Sequence, residues 1–418
     1  MLKTFSRTHV DLTMGEVIWT LMQLANPWQA GRNSNVARFE EAFAAYVGTN
    51  YAVAFPYCRT AMYYALTALN LKPDDEVILP AYTFWVDAAM VIMAGLKPVF
   101  VDVDFRTASI DPGKIEAVIT PRTKVIFPTH LNGLSADMEP IMAIAKRHKL
   151  RVIEDCARSC GAVYKHKKVG SFDIGTFSFG YGKSFYDFGG GMITSNDAAF
   201  IERVKDLKKD FHLISFKNLM IQIVKGNMLR FLNNPYLYTY TLYPLICKYV
   251  LEGNEKCAAL FRVKMAAYET VPDSFRVDMH NVQAWLGMPQ LKRIDETNVK
   301  RMTNAELLTN ELRGIDEIVI PPLCEDRTHV SVHYAVWSEQ SRALQRYLLR
   351  NHIDAQDESA VDTTTLTRFK QYVVGDFPNA QKLHAHVIFL PTHPHLTKND
   401  MLYIARKVKQ FFKEHTSS

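Results

Sequence analysis

The chain has 418 residues, 48% of them hydrophobic and 22% charged. These proportions belong to a globular protein with a core of normal size, and they exclude a disordered, collagenous or disulfide-framework chain. With 49 Lys and Arg against 43 Asp and Glu, the net charge is +6; there is no dense basic run of a nucleic-acid binder, and an anionic small-molecule substrate is compatible with it.

In chain order, YAVAF (51–55) reads as a strand and Thr60 to Leu71 as a helix. EVILP (76–80) is a strand, and Trp85 to Ala94 an apolar helix. PVFVDVD (98–104), KVIFPTH (124–130) and RVIED (151–155) are further strands. ADMEPIMAIAKRHK (136–149), between the last two, has helical spacing. Buried runs alternating with helices predict a mostly parallel sheet with helices on both faces. Residues 206–262 alternate basic patches with Leu, Phe, Tyr and Met and do not parse into βαβ units. One long helix is predicted over 281–308, then strands at 317–322 and 329–337. A helix near Ala343 to Asn351, a strand at 386–391 and a terminal helix at 398–413 complete a smaller α+β domain. The expected division is a large domain over 1–265, with 206–262 as an insertion, and a small domain over 266–418.

The six cysteines, at 58, 156, 160, 247, 257 and 324, make no CxxC pair and no zinc-spaced Cys/His cluster. That usage fits reduced thiols in a cytoplasmic protein. MLKTFSRTHVDL, at the start, lacks the apolar stretch of a signal peptide. The uncharged run 231–247 is short for a membrane span and is broken by Pro235 and Pro244, so no span is expected. His393 and His395 form an HxH pair without a third ligand in the sequence, and no metal is expected.

Ligands of open α/β sheets bind at the carboxyl ends of strands, beside helix N-termini. The residues there are Asp155 after RVIE, Arg59 and Thr60 after YAVAFPYC, Phe84 after EVILPAYT, and Lys183 in the glycine-rich loop after TFSF (176–179). A lysine, a carboxylate, an aromatic plate and an anion cradle on one sheet edge are what pyridoxal phosphate requires. Gly182-Lys183-Ser184 is not the end of a P-loop, because Phe177 stands where that motif needs glycine.

Several stretches carry a wider likeness. They are VARFEEAFAAYVGTNYAV (36–53), LKPDDEVILPAYTF (71–84), PVFVDVDFRTASIDPGKIEAVITPRTKVIFPTHLNG (98–133), VIEDCARSCGA (152–162), GSFDIGTFSFGYGKSFYDFGGGMIT (170–194), QAWLGMPQLKRID (283–295) and LPTHPHLT (390–397). In these the chain resembles the pyridoxal phosphate-dependent sugar aminotransferases of fold type I, the DegT/DnrJ/StrS group. The resemblance covers roughly residues 25–205 and 265–418. It implies an aspartate aminotransferase-like, seven-stranded sheet, a homodimer with active sites between subunits, and amino transfer from a donor such as glutamate to a keto sugar, expected to be nucleotide-linked. It makes Lys183 the Schiff-base lysine and Asp155 the partner of the cofactor's ring nitrogen. Phe84 becomes the stacking aromatic, Ser178, Arg59 and Thr60 the phosphate holders, and His130 a neighbour of the site. The chain departs from the family pattern at Cys58-Arg59-Thr60, where Gly-Thr-Ala is usual. It has Arg158 where glutamine faces the cofactor's phenolic oxygen, and Arg276 where an asparagine reaches across the dimer. Related sugar dehydratases replace the lysine with histidine, so Lys183 favours transamination. A non-sugar ketone substrate and a non-catalytic sensor on the same fold are the alternatives.

Overall fold

The computed structural model describes residues 3–24, 34–261, 270–356 and 360–415. Seven strands form the central sheet: β1 (Tyr51–Phe55), β2 (Glu76–Pro80), β3 (Lys97–Val101), β4 (Thr123–Ile126), β5 (Arg151–Asp155), β6 (Ile174–Phe179) and β7 (Gly190–Ser195). Their spatial order is β1-β7-β6-β5-β4-β2-β3. Only β7 runs against the others, pairing antiparallel with both β1 and β6. The mostly parallel α/β architecture expected from the alternation is therefore present.

Both sheet faces are covered. Val77 and Leu79 of β2 pack into one cluster with helices Cys58–Ala68 and Val86–Met93, while Ile78 packs into another with helix Met138–His148. A strand buried on both sides needs a continuous apolar run, and EVILP supplies one. Helix Ser34–Val47 and the first half of helix Asn281–Leu312 cover the β1–β7–β6 end, around Phe39, Phe43, Phe177 and Phe179.

A second core forms where the far half of that long helix, helices Ser341–Arg350 and Lys398–His415, and the antiparallel strands Tyr334–Trp337 and Val387–Leu390 meet. Phe5 packs into it, so the N-terminal segment belongs with this core. The expected boundary at 265/266 lies outside the described residues. Two predicted strands are corrected. Residues 317–322 make only the isolated bridge Val319–Trp337, and of 329–337 only 334–337 is strand. Pro321 and Pro322 lack ladder N–H groups, which ends pairing there.

From residue 216 to 261 the chain is mainly helical, in Phe216–Leu232, Pro235–Tyr240, Leu242–Glu252 and Glu255–Phe261; residue 262 lies outside the described residues. Ser215 caps the first by accepting from the Asn218 N–H, and Asn234 caps the second with Pro235 at its first turn. Gly226 sits mid-helix because a Cβ there would stand 2.7 Å from Phe188 Cδ1. The glycine lets the helix lie directly against the Tyr186–Phe188 loop.

Candidate functional site

A cavity of about 610 Å³ opens at the carboxyl ends of the strands and is lined by Arg59, Phe84, His130, Asp155, Arg158, Ser178 and Lys183, among others. The fold thus brings together seven of the nine residues expected there. Asp155 ends β5 with its main chain fixed on both sides: its N–H donates to Pro128 O at 2.9 Å and its carbonyl accepts from His130 N–H at 3.0 Å. Its Oδ1 accepts from the Ala157 N–H at 2.8 Å. The carboxyl is buried, which pushes its pKa up, and the Ala157 N–H bond and the charges of Lys183 and Arg158 oppose that rise. Asp87 lies behind it, accepting from Thr83 and Thr129 hydroxyls at 2.6 and 3.1 Å. Burial, then the neighbouring Asp155 charge, drives Asp87 well above the carboxylate range.

Lys183 stands on the loop joining β6 to β7. Gly182 turns that loop in the left-handed region, at φ 75°. Desolvation, reinforced by Arg158, lowers the lysine from 10.5 to about 8. A substantial share of the amine is therefore neutral and nucleophilic near physiological pH.

Helix Cys58–Ala68 points its N-terminus at the cavity, and no side chain caps it. Its free N–H groups and dipole favour an anion. Arg59 lies over the Tyr57 ring, 5.2 Å from the centroid. Thr60 is absent from the cavity wall, but its Oγ1 is buried with no partner. A phosphate at the helix start would satisfy it. Gly191 brings β7 against this turn, where a Cβ would come within 2.6 Å of Cys58 N.

His130 lines the cavity beside Asp155, with both ring nitrogens engaged by the protein. Its Nδ1 accepts from the Ala136 N–H at 3.0 Å, so its Nε2 carries the proton and donates to Glu154 at 3.1 Å. The residue acts as wall and support for Asp155. Its grouping with Glu154 and Cys156 is likewise no ready metal site, since Glu154 also accepts from Gly170 and Phe172 N–H. Arg276 does not line this chain's cavity, and its carbonyl accepts from His212 N–H. The resemblance assigns it to the other subunit's site.

Sequence reasoning missed four residues. Tyr57, Gln222 and Lys225 line the cavity, the last two from helix 216–232. His333 is buried, and burial with the charges of Arg158 and Lys183 holds its pKa well below the usual value. No local pattern marks these positions. Among the described residues, Asp155 is the one carboxylate in the wall, beside the basic side chains of Arg59, Arg158, Lys183 and Lys225.

A lysine, a carboxylate and a free helix start meet on one sheet edge, the set of groups that a phosphorylated electron-sink cofactor requires. The chain belongs to the DegT/DnrJ/EryC1/StrS aminotransferase family, whose profile matches residues 16–221 and 255–409. It is an aminotransferase of fold type I. It is 29% identical to the spore coat polysaccharide biosynthesis protein SpsC of Bacillus subtilis (strain 168), over 91% of this chain and 90% of that one. It is also 29% identical to the dTDP-3-amino-3,6-dideoxy-alpha-D-galactopyranose transaminase of Aneurinibacillus thermoaerophilus, over 89% of each. The crystal structure of an aminotransferase from Psychrobacter cryohalolentis superposes with a TM-score of 0.77 at 27% identity, covering 98% of this chain and 99% of that one. The unmatched stretch 222–254 lies within the inserted helices, which contribute to the cavity wall.

Proposed function

We propose that this chain uses pyridoxal 5′-phosphate to transfer an amino group from a donor amino acid, glutamate by family expectation, to a nucleotide-linked keto sugar. The observation that carries this reading is the meeting, in one cavity, of Lys183, its pKa lowered to about 8 by burial, with the buried carboxyl of Asp155. Relatives named for amino-sugar transamination and for polysaccharide biosynthesis support the substrate class.

Bound there, the cofactor would supply an electron sink for the substrate's Cα–H bond pair. The chain's residues do the rest. Asp155 holds a proton on the ring nitrogen by its charge. Phe84 covers a ring face. Arg59, Thr60, Ser178 and the helix start hold the phosphate. Arg158, beside Asp155, adds a fixed positive charge where the family has a neutral amide. Lys183 would hold the cofactor covalently through its amine and would carry the proton taken from the donor carbon.

The same reading divides the chain into a large domain, running to residue 265, and a small one, 266–418, on which the N-terminal segment around Phe5 packs, working as a homodimer. Helix Met14–Leu24 turns Glu16 and Thr20 inward and exposes Met14, Ile18, Trp19, Leu21 and Met22. Helix 216–232 exposes Phe216, Ile221, Val224, Met228 and Phe231. The two helices share one inner cluster, and apolar faces of this extent fit burial against a second subunit. No helix of the described residues is long and apolar enough to cross a membrane. A screen of keto-sugar nucleotides with purified protein, cofactor and glutamate tests the function; formation of amino sugar supports it, and turnover only with non-sugar ketones contradicts it.

A further inference from the structure

Phe188 is a bulky residue in a backbone conformation that suits glycine, with φ at 63°. Such a residue costs stability and persists only where its surroundings hold it. It ends the loop that carries Lys183, and with Tyr186 it lines the cavity. The loop is pinched at its base. The N–H groups of Asp187 and Gly189 both donate to Phe179 O, at 3.0 and 3.3 Å, and Asp187 Oδ1 accepts from the Gly190 N–H at 2.8 Å.

The loop's aromatic side chains divide between two cores. Phe185 joins Phe39, Phe43 and Phe179, its ring centroid 4.4 Å from that of Phe179. Tyr186 and Phe188 enter a different cluster, with Leu219 and Ile223 of helix 216–232.

Gly226 makes that second contact possible. A Cβ there would stand 2.7 Å from Phe188 Cδ1 and 2.8 Å from its Cε1, and nearer still to Tyr186 Oη. Nonbonded carbons settle at about 3.5–4.0 Å, and both rings are buried in packed surroundings. A glycine inside a helix weakens it relative to alanine. Helix 216–232 carries one where it meets the loop. One turn earlier, Gln222 holds the Tyr57 hydroxyl, and a Cβ at Gly189 would lie 3.4 Å from the Tyr57 ring. The helix therefore bears on the end of the loop both directly and through Tyr57.

We propose that helix 216–232 is a positioning clamp for the Lys183 loop. Seated by Gly226, it presses on Tyr186 and Phe188 and holds Phe188 in the left-handed region, which sets the course of the chain from Lys183 into β7. Gly226 lies in the stretch 222–254 that the family profile does not match, so the clamp belongs to this chain's insertion. Its consequence for the cofactor rests on Lys183 being the lysine that takes it; the clamp itself does not. Packing alone would be satisfied by any residue at 188 that makes room for a Cβ at 226. A held backbone conformation is replaced only by a residue that adopts it unaided.

The test uses the full-length protein freed of cofactor. Hydrogen exchange reads the amides of Asp187, Gly189 and Gly190, and stopped-flow mixing with pyridoxal phosphate reads capture. In Gly226→Ala, exchange at these amides should quicken at least about tenfold, while the amides of strand 174–179 keep their rates. Capture should slow at least about fivefold, because the amine is no longer held in place. Adding Phe188→Gly to Gly226→Ala should bring capture back to within about threefold of the wild type. Adding Phe188→Ala, which gives room without the backbone freedom, should not. If Gly226→Ala does not fold, Ile223→Val takes one methyl from the same cluster and should quicken the loop amides about two- to tenfold. Unchanged loop exchange in these variants, or rescue by Phe188→Ala equal to that by Phe188→Gly, would overturn the clamp. A wild type that takes up no pyridoxal phosphate would overturn the functional reading instead, and the exchange rates would still decide the clamp.

Discussion

Gln222 donates through Nε2 to the Tyr57 hydroxyl at 2.5 Å. The bond ties the inserted helix to the residue that opens the anion-binding helix and sits under Arg59. Replacing Gln222 with Ala removes one neutral hydrogen bond, worth about 0.5–1.5 kcal/mol. Cofactor affinity should fall about two- to tenfold. Lys225→Ala, from the same wall, should raise KM for a phosphorylated sugar while the half-reaction with glutamate keeps its rate. An unchanged KM would remove the inserted helix from substrate binding.

Arg59→Ala should weaken cofactor retention more strongly, by about tenfold or more, because a charge-assisted contact to phosphate is lost. Thr60→Val keeps the volume and deletes the unpartnered Oγ1, so its effect isolates that hydroxyl. Equilibrium dialysis of the cofactor reads both. A dissociation constant unmoved in Arg59→Ala would place the phosphate elsewhere.

Asp155→Asn keeps the shape and the bond from Ala157 N–H but removes the negative charge. The rate of proton removal from the amino donor should fall at least about a hundredfold, as when other preorganised charges are deleted. Single-turnover kinetics measures this step apart from binding. A loss under threefold would show that another group holds the ring proton.

The lowered pKa of Lys183 makes two pH predictions. Cofactor capture by the stripped protein needs the neutral amine, so its rate should rise with pH and level off above about 8. The unfolded chain keeps this lysine protonated up to about 10.5. Between about 8 and 10.5 the unfolded state therefore binds more protons than the folded one. This group's penalty on the stripped protein is full below pH 8 and is relieved as pH rises through that window. Stopped-flow capture rates locate the midpoint; one near 10.5 would contradict the geometry.

Much of this was legible in the chain because burial leaves a plain mark. Ile78 between Val77 and Leu79 forces an unbroken apolar strand, and Asp155 at the end of RVIE stands out as a charge where the sheet edge begins. Helix 216–232 was not legible because it is apolar on both sides. Leu219 and Ile223 face inward while Ile221, Val224 and Met228 face outward, so no helical period emerges. EIVIPP read as a strand from its β-branched residues, yet only Val319 finds a partner, Trp337. The seat of Gly226 against Phe188 joins the insertion to the lysine loop, and no local spacing encodes it.

The central claim is that Lys183 carries amino transfer on pyridoxal phosphate, and one comparison tests it most directly. Wild type and Lys183→Ala are each loaded with the cofactor and mixed with glutamate, then with the keto-sugar nucleotide, while the visible absorbance is followed. The wild type should lose its cofactor band with glutamate and regain it with the sugar. The variant, which loses no core group, should keep its fold and circular dichroism yet complete no cycle. Full turnover in Lys183→Ala, or a wild-type band indifferent to every amino donor, would contradict the account.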